Sequence, residues 1–229
     1  MTRSFSPVTR VACLVLLVGC SSFLLFHFGQ QTPWFKQFLY RRMLAGSESQ
    51  RLRAASMLVQ LGGQKQLVQA LQVNEPAPRE VAKKALEYLW FNAAGPEAFQ
   101  LLQTAYRAAE QEDFNSALEL LNGVVRRYPN FAEGWNQRAS VYWRMGDYEK
   151  SIADSRRVVG LNPNHYGAWQ GLGICQLKLG DVAEACRCLR VAQKLLPHDE
   201  ATHKALQNCE ELLRRISPAP KSGGGFEVI

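Results

Sequence analysis

The chain has 229 residues, a length that suits one globular domain or two small ones and excludes a large multidomain enzyme. Of these residues 47% are hydrophobic and 21% are charged, a composition typical of a folded chain rather than a disordered one. Its net charge of +7 would suit nucleic acid or an anionic membrane surface. However, residues 1–60 hold 7 basic and 1 acidic residues, whereas residues 61–229 hold 20 and 19, so the larger part is nearly neutral and nucleic-acid binding is not expected.

The first feature in chain order is an apolar run, residues 11–28, which follows a basic flank, residues 1–10. The run contains no Asp, Glu, Lys or Arg. As a helix it would measure about 27 Å, close to the ~30 Å hydrocarbon core of a bilayer. We therefore expect a single transmembrane anchor, although the flanking charges do not decide its orientation.

Two alternatives for this segment stay open. One is a cleaved signal peptide. The other is a lipoprotein modified at Cys20, because residues 17–22 resemble a bacterial lipobox.

Residues 29–46 are predicted to be a juxtamembrane linker, because they interleave aromatic with basic side chains as an interfacial belt does. The side chains in question are Trp34, Phe35, Lys36, Tyr40, Arg41 and Arg42.

The next segment, residues 47–95, carries helical patterns. Leucines and small residues recur at helical spacing in residues 52–61 and 81–90, with a shorter helix predicted at about 64–71. Pro76 and Pro78 mark a break before the last of these helices. The segment resembles a degenerate HEAT-type helical repeat, and together with the C-terminal half of the chain it predicts one continuous solenoid over about 47–215.

An internal repeat occupies the C-terminal half. Pro129, Pro163 and Pro197 recur with a 34-residue period, and turn signals such as Gly146-Asp147 and Gly180-Asp181 keep the same register. Apolar residues at helical spacing on both sides of each turn predict two amphipathic helices per unit, which the proline ends. Such a unit cannot bury its apolar face alone, so neighbouring units must stack.

The pattern resembles the tetratricopeptide repeat (TPR). The residues that carry the resemblance are Leu101, Ala105, Ala117, Leu121 and Pro129 in the first unit, Trp135, Ala139, Tyr142, Gly146, Ser151 and Pro163 in the second, and Trp169, Leu172, Gly173, Gly180, Ala185, Ala192 and Pro197 in the third. The resemblance implies an all-α, right-handed helical-repeat solenoid with units at 98–131, 132–165 and 166–199. We expect a capping helix over 198–215 and a disordered tail over 216–229.

No constellation for chemistry is visible in the sequence. Cys186 and Cys188 are two residues apart and point to different helix faces, and no zinc-type spacing occurs. We interpret Cys175, Cys186, Cys188 and Cys209 as small buried apolar residues, with a Cys175–Cys186 disulfide as the alternative. We expect no enzyme activity, no metal, no cofactor and no small-molecule substrate.

The TPR resemblance also implies a concave surface lined by the first helix of each unit. The predicted peptide-binding residues of this groove are Phe99, Gln103, Tyr106, Asn136, Gln137, Ser140, Trp143, Arg144, Gln170, Gly171 and Lys178. Their amides suit a peptide backbone, and Arg144 and Lys178 suit a carboxylate.

Related proteins that grip the acidic tails of chaperones use lysines, asparagines and an arginine in the groove. Those positions align here with Leu102, Tyr106, Gln137, Gly167 and Gly171, so we expect no such clamp. The sequence predicts a membrane-tethered adaptor or scaffold that binds a protein or peptide. The alternatives are a permanent structural subunit of a membrane-associated assembly and a lipid-modified lipoprotein with the same repeats.

Overall fold

The computed structural model describes residues 32–216, and this range contains eleven α-helices and no strand. In chain order the helices are α1 Pro33–Ala45, α2 Glu48–Gln60, α3 Gln64–Ala70, α4 Pro76–Phe91, α5 Pro96–Glu110, α6 Phe114–Arg127, α7 Ala132–Arg144, α8 Tyr148–Leu161, α9 Tyr166–Lys178, α10 Val182–Leu195 and α11 Glu200–Ile216. The described chain divides into two compact units, residues 32–86 and 87–216, where the sequence predicted one continuous solenoid.

In the first unit the structure corrects the prediction of a linker over residues 29–46. Helix α1 occupies most of that range, with Pro33 in its first turn, where proline's fixed φ favours a helix start. Leu39, Tyr40 and Met43 are buried on one face of α1, which packs on α2 and α3. Tyr40 is therefore part of a protein core and not of an interfacial belt, whereas Trp34 is 64% exposed.

Helices cover most of the segment 47–95. Ser47 and Gln50 form a capping box at the start of α2, which fixes its N-terminus. Leu58, Leu67 and Leu86 are fully buried. The relationship of this segment to HEAT repeats stays a prediction.

The second unit repeats one helix pair three times. Helices α6, α8 and α10 begin at residues 114, 148 and 182, so the 34-residue period of the sequence is also the period of the structure. The preceding aspartates, Asp113, Asp147 and Asp181, each accept a hydrogen bond from a backbone N–H of the first turn. The turns before them place Gly146 and Gly180 at positive φ.

The tryptophans and prolines of the repeat are joined by equivalent hydrogen bonds. The indole nitrogen of Trp135 donates to the carbonyl oxygen of Pro129 at 3.0 Å, and that of Trp169 donates to the carbonyl oxygen of Pro163 at 2.9 Å. Each bond holds the first helix of a unit to the end of the preceding one. Helix α11 begins one repeat period after α9, so the capping helix takes the position of a fourth first helix.

Two predictions concern residues outside the described range. The predicted anchor, 11–28, lies before it, and the predicted disordered tail lies beyond it except for Ile216, which ends α11. In the part of the chain that the structure describes, none of the helices is both long and apolar enough to cross a membrane.

Candidate functional site

The first helices of the three repeats line a row of hollows. The main hollow lies between α7 and α9 and has a volume of about 310 Å³. Its lining residues are Asn136, Gln137, Ala139, Ser140, Trp143, Ser151, Ser155, Gly167, Gln170, Gly171 and Ile174. Amide and hydroxyl groups therefore stand beside the side chains of Trp143 and Ile174, and Gly167 and Gly171 add no side chain to the lining.

Two further hollows continue along the same side. One, of about 160 Å³, lies between α5 and α7 and shares Gln137 and Ser140 with the main hollow. The other, of about 340 Å³, is lined by Phe91, Phe99, Gln103, Tyr106 and Arg107. Because Tyr106 lines both of these further hollows, the three are neighbours and form one elongated groove.

The structure brings the predicted groove residues to one continuous surface. Ten of them line the three hollows of the groove. The remaining residue, Lys178, lines a fourth hollow of about 550 Å³, which Trp143 and Arg144 share with the groove. That these residues contact a ligand stays a prediction.

A buried carboxylate organises the amides of the main hollow. Glu133, only 3% exposed, accepts hydrogen bonds at Oε1 from Asn136 Nδ2 at 3.0 Å and from Gln137 Nε2 at 2.6 Å. Because the amide nitrogens are held by Glu133, the carbonyl oxygens of both side chains remain as acceptors. The groove therefore offers oriented acceptors for N–H groups.

The other oxygen of Glu133 meets His165. His165 caps the N-terminus of α9, where its Nδ1 accepts a hydrogen bond from the backbone N–H of Ala168 at 3.1 Å. Its Nε2 must then carry the proton, and it donates to Glu133 Oε2 at 3.0 Å. Trp90 stacks on the imidazole with ring centroids 4.6 Å apart.

Tyr166 extends this polar cluster. Its hydroxyl donates to Glu87 Oε1 at 3.0 Å, and burial, with the nearby carboxylates of Glu87 and Glu133, raises the pKa of the phenol. Sequence reasoning missed the cluster because Glu133 and His165 are 32 residues apart and each alone resembles an ordinary surface residue. The usable signal was that both lie at the start of a first helix, in successive repeats.

One cation of the predicted groove is already engaged. Arg144 donates to Glu110 Oε1 at 3.0 Å and lies over the ring of Phe114 at 5.3 Å. Arg144 therefore already has a carboxylate partner within the chain, and its expected contact with a ligand carboxylate stays a prediction. The carboxylate of Glu110, which lies one 34-residue period earlier, compensates the charge of Arg144. Gln170 is similarly tethered, because its Nε2 donates to Thr202 Oγ1 at 3.1 Å.

The structure corrects the alternative of a Cys175–Cys186 disulfide. Cys175 Sγ donates to Ser151 Oγ at 3.3 Å, so it does not face Cys186. All four cysteines of the described residues are buried and free, and burial raises the pKa of Cys175. In residues 32–216 no group of three or more His, Cys, Asp or Glu side chains is placed to hold a metal ion.

The fold and groove define a helical-repeat protein of the kind whose stacked units form concave binding surfaces. A family model described as tetratricopeptide repeat matches residues 102–154 and 136–200. Residues 102–200 thus carry tetratricopeptide repeats, and the resemblance inferred over residues 98–197 is confirmed.

Known proteins agree with this assignment. A TPR repeat-containing protein of Rhizobium etli is 34% identical over 83 residues, which cover 36% of this chain and 41% of that protein. The protein SGT1 homolog of Bos taurus is 31% identical over 128 residues, covering 55% of this chain and 38% of that protein. The chain thus spans about two fifths of the length of these relatives.

A solved structure shows the same fold. The crystal structure of the Sgt2 TPR domain from Aspergillus fumigatus superposes with a TM-score of 0.51 at 17% identity, covering 58% of this chain and 91% of that chain. At this identity the likeness establishes the fold alone.

Proposed function

We propose that the protein is a membrane-tethered adaptor whose TPR groove binds an extended, uncharged segment of a partner protein. The observation that supports this most is the main hollow between α7 and α9, with its preoriented amides and with Gly167 and Gly171 in its lining. Amide oxygens can accept from a peptide backbone, and Trp143, 45% exposed, offers an apolar surface to a side chain. A non-catalytic role stays part of the proposal.

The ligand chemistry follows from the charges around the groove. Arg144 is paired with Glu110, and Glu133 is buried with three donors around it. The Glu133 carboxylate is thus satisfied within the protein, and the positive charge of Arg144 is compensated by Glu110. A ligand that relies on backbone hydrogen bonds and apolar side chains therefore suits the groove better than an acidic tail, in keeping with the absence of the clamp residues from the sequence.

The test uses the full chain in lipid nanodiscs. Peptides selected from a display library would be titrated against the wild type, Gln137→Ala and Gln100→Ala. Gln137 lines the groove, whereas the exposed Gln100 on α5 is outside the described hollows. Loss of one hydrogen bond predicts about 10-fold weaker binding for Gln137→Ala. Equal affinities for all three proteins would contradict the groove as the binding site.

The membrane tether is tested separately. Protease treatment of intact membranes shows on which side residues 32–216 lie, and the mass of the mature N-terminus distinguishes the three interpretations of the apolar run. An uncleaved chain supports an anchor at 11–28, and a shortened chain supports a signal peptide. A lipid-modified residue 20 at the new N-terminus supports a lipoprotein. A protein recovered entirely from the soluble fraction would contradict tethering.

A further inference from the structure

Two buried cysteines from neighbouring helices meet inside the C-terminal end of the solenoid. Cys186 lies on α10 and Cys209 on the capping helix α11, and their Sγ atoms are 2.7 Å apart. Both are fully buried in one apolar cluster with Ala185, Leu189 and Leu206. A disulfide bond is about 2.05 Å long, so a movement of less than about 1 Å would bring the sulfurs to bonding distance.

The other cysteines of the described chain have different partners. Cys175 donates to Ser151, and Cys188 Sγ lies 3.6 Å from Glu184 Oε1. Cys186 and Cys209 are thus a specific pair among four cysteines and not a random meeting of thiols. We propose that Cys186 and Cys209 form a disulfide that covalently attaches the capping helix to the last repeat.

The oxidation is a thiol–disulfide exchange with a low-molecular-weight disulfide such as oxidised glutathione. One cysteine thiolate attacks the small disulfide, forms a mixed disulfide and releases the first small thiol. The second cysteine thiolate then attacks the protein sulfur of the mixed disulfide and releases the second small thiol. The protein loses two protons and two electrons, and the small disulfide gains them as two thiols.

Access to the pair requires movement of α11. Both sulfurs are inaccessible in the closed structure, and burial raises the pKa of the Cys209 thiol, as does its contact with Cys186. Helix α11 is the last described helix and packs chiefly on α10 and α9, so it can open without disturbing the inner repeats. Exchange therefore proceeds before α11 docks or while it is lifted, and the disulfide then keeps it closed.

The bond would also act on the groove. Gln170 of the main hollow donates to Thr202, which lies at the start of α11 and is buried. An attached α11 holds this tether in place, whereas an open α11 releases the Gln170 amide. The oxidised protein thus has the more rigid end of the groove.

Trypsin makes the pairing directly readable. Cleavage after Lys and Arg leaves Cys175, Cys186, Cys188 and Cys209 in four different peptides, residues 158–178, 179–187, 188–190 and 205–214. Cys13 and Cys20 share a separate peptide, residues 11–36. The full chain would be incubated with oxidised glutathione, its remaining thiols alkylated, and the digest analysed by mass spectrometry with and without reductant.

We expect one linked species, 179–187 joined to 205–214, which disappears on reduction. Cys188→Ser is the matched control and should form the same link, whereas Cys186→Ser should leave Cys209 alkylated. The wild-type map carries the test even if Cys186→Ser does not fold. Alkylation of all four cysteines after oxidation, or a link through Cys175 or Cys188 in its place, would overturn the proposal. The same oxidation in urea, where several pairings form, verifies that linked peptides are detected.

Discussion

Two glycines on α9, two residues apart, should respond in opposite ways to the same substitution. A Cβ at Gly171 meets no atom within 4 Å among the described residues, whereas a Cβ at Gly173 would lie 2.7 Å from Leu189 Cγ and 3.2 Å from the carbonyl oxygen of Ala185. Alanine is favoured over glycine in a helix by about 1 kcal/mol. Gly171→Ala should therefore raise the free energy of unfolding by about 1 kcal/mol.

Gly173→Ala gains the same helix preference but must displace Leu189, which is fully buried. Overpacking of a core costs roughly 1–3 kcal/mol. The net result should be a loss of about 1 kcal/mol, since the larger of the two effects decides the sign.

Urea denaturation of the two variants and the wild type, followed by circular dichroism, measures both effects. The midpoint should rise for Gly171→Ala and fall for Gly173→Ala. Equal shifts of the same sign would refute the inference that α9 presents one open and one tightly packed face at these positions.

Three further predictions concern turns and charges. In the first repeat Glu112 occupies the position that Gly146 has in the second, with a φ of 60°. Because glycine adopts this conformation without strain, Glu112→Gly should raise the free energy of unfolding in urea by about 1 kcal/mol, and a clear loss would contradict backbone strain at residue 112. Asp154 is buried and accepts two hydrogen bonds from Arg138, of 2.7 and 2.8 Å. Asp154→Asn should therefore lower the free energy of unfolding by roughly 3 kcal/mol, against less than about 1 kcal/mol for Glu97→Gln in the exposed pair with Arg127. Equal losses would contradict this account. The hydrogen bond from Lys150 lowers the pKa of the Asp147 carboxyl below its ordinary 3.8. The ionised carboxylate therefore stabilises the fold above pH 3.8, and this stabilisation is lost as the pH falls through the lower pKa of the folded state. Asp147→Asn should therefore flatten the fall in urea midpoint below about pH 4, and an unchanged pH profile would contradict it.

The repeat architecture could be predicted because its signals are local and periodic. Proline, tryptophan and aspartate recur with the period of the repeat, and each has a local structural task, which the structure shows at Trp135, Trp169 and Asp147. The groove surface follows from the same period, since a helix face is fixed once its buried residues are known.

Features that depend on distant partners could not be predicted. Helix α1 lacks a clear amphipathic pattern, and its buried face with Tyr40 and Met43 exists only because α2 and α3 pack on it. The Glu133–His165 bond and the Cys186–Cys209 contact each join residues from different repeat positions, at separations of 32 and 23 residues. The pairing of Arg144 was equally hidden, because its partner Glu110 belongs to the preceding unit.

The affinity of a selected peptide for two glycine variants tests the central claim most directly. Gly171 lies in the groove, whereas Gly160 lies on α8 outside the described hollows, and an added Cβ meets no described atom within 4 Å at either position. Both Gly171→Ala and Gly160→Ala should gain about 1 kcal/mol of stability from helix preference. If a peptide backbone approaches α9 at Gly171, only Gly171→Ala should lose affinity, by about 10-fold. Unchanged binding by Gly171→Ala, or an equal loss in Gly160→Ala, would contradict peptide binding in this groove.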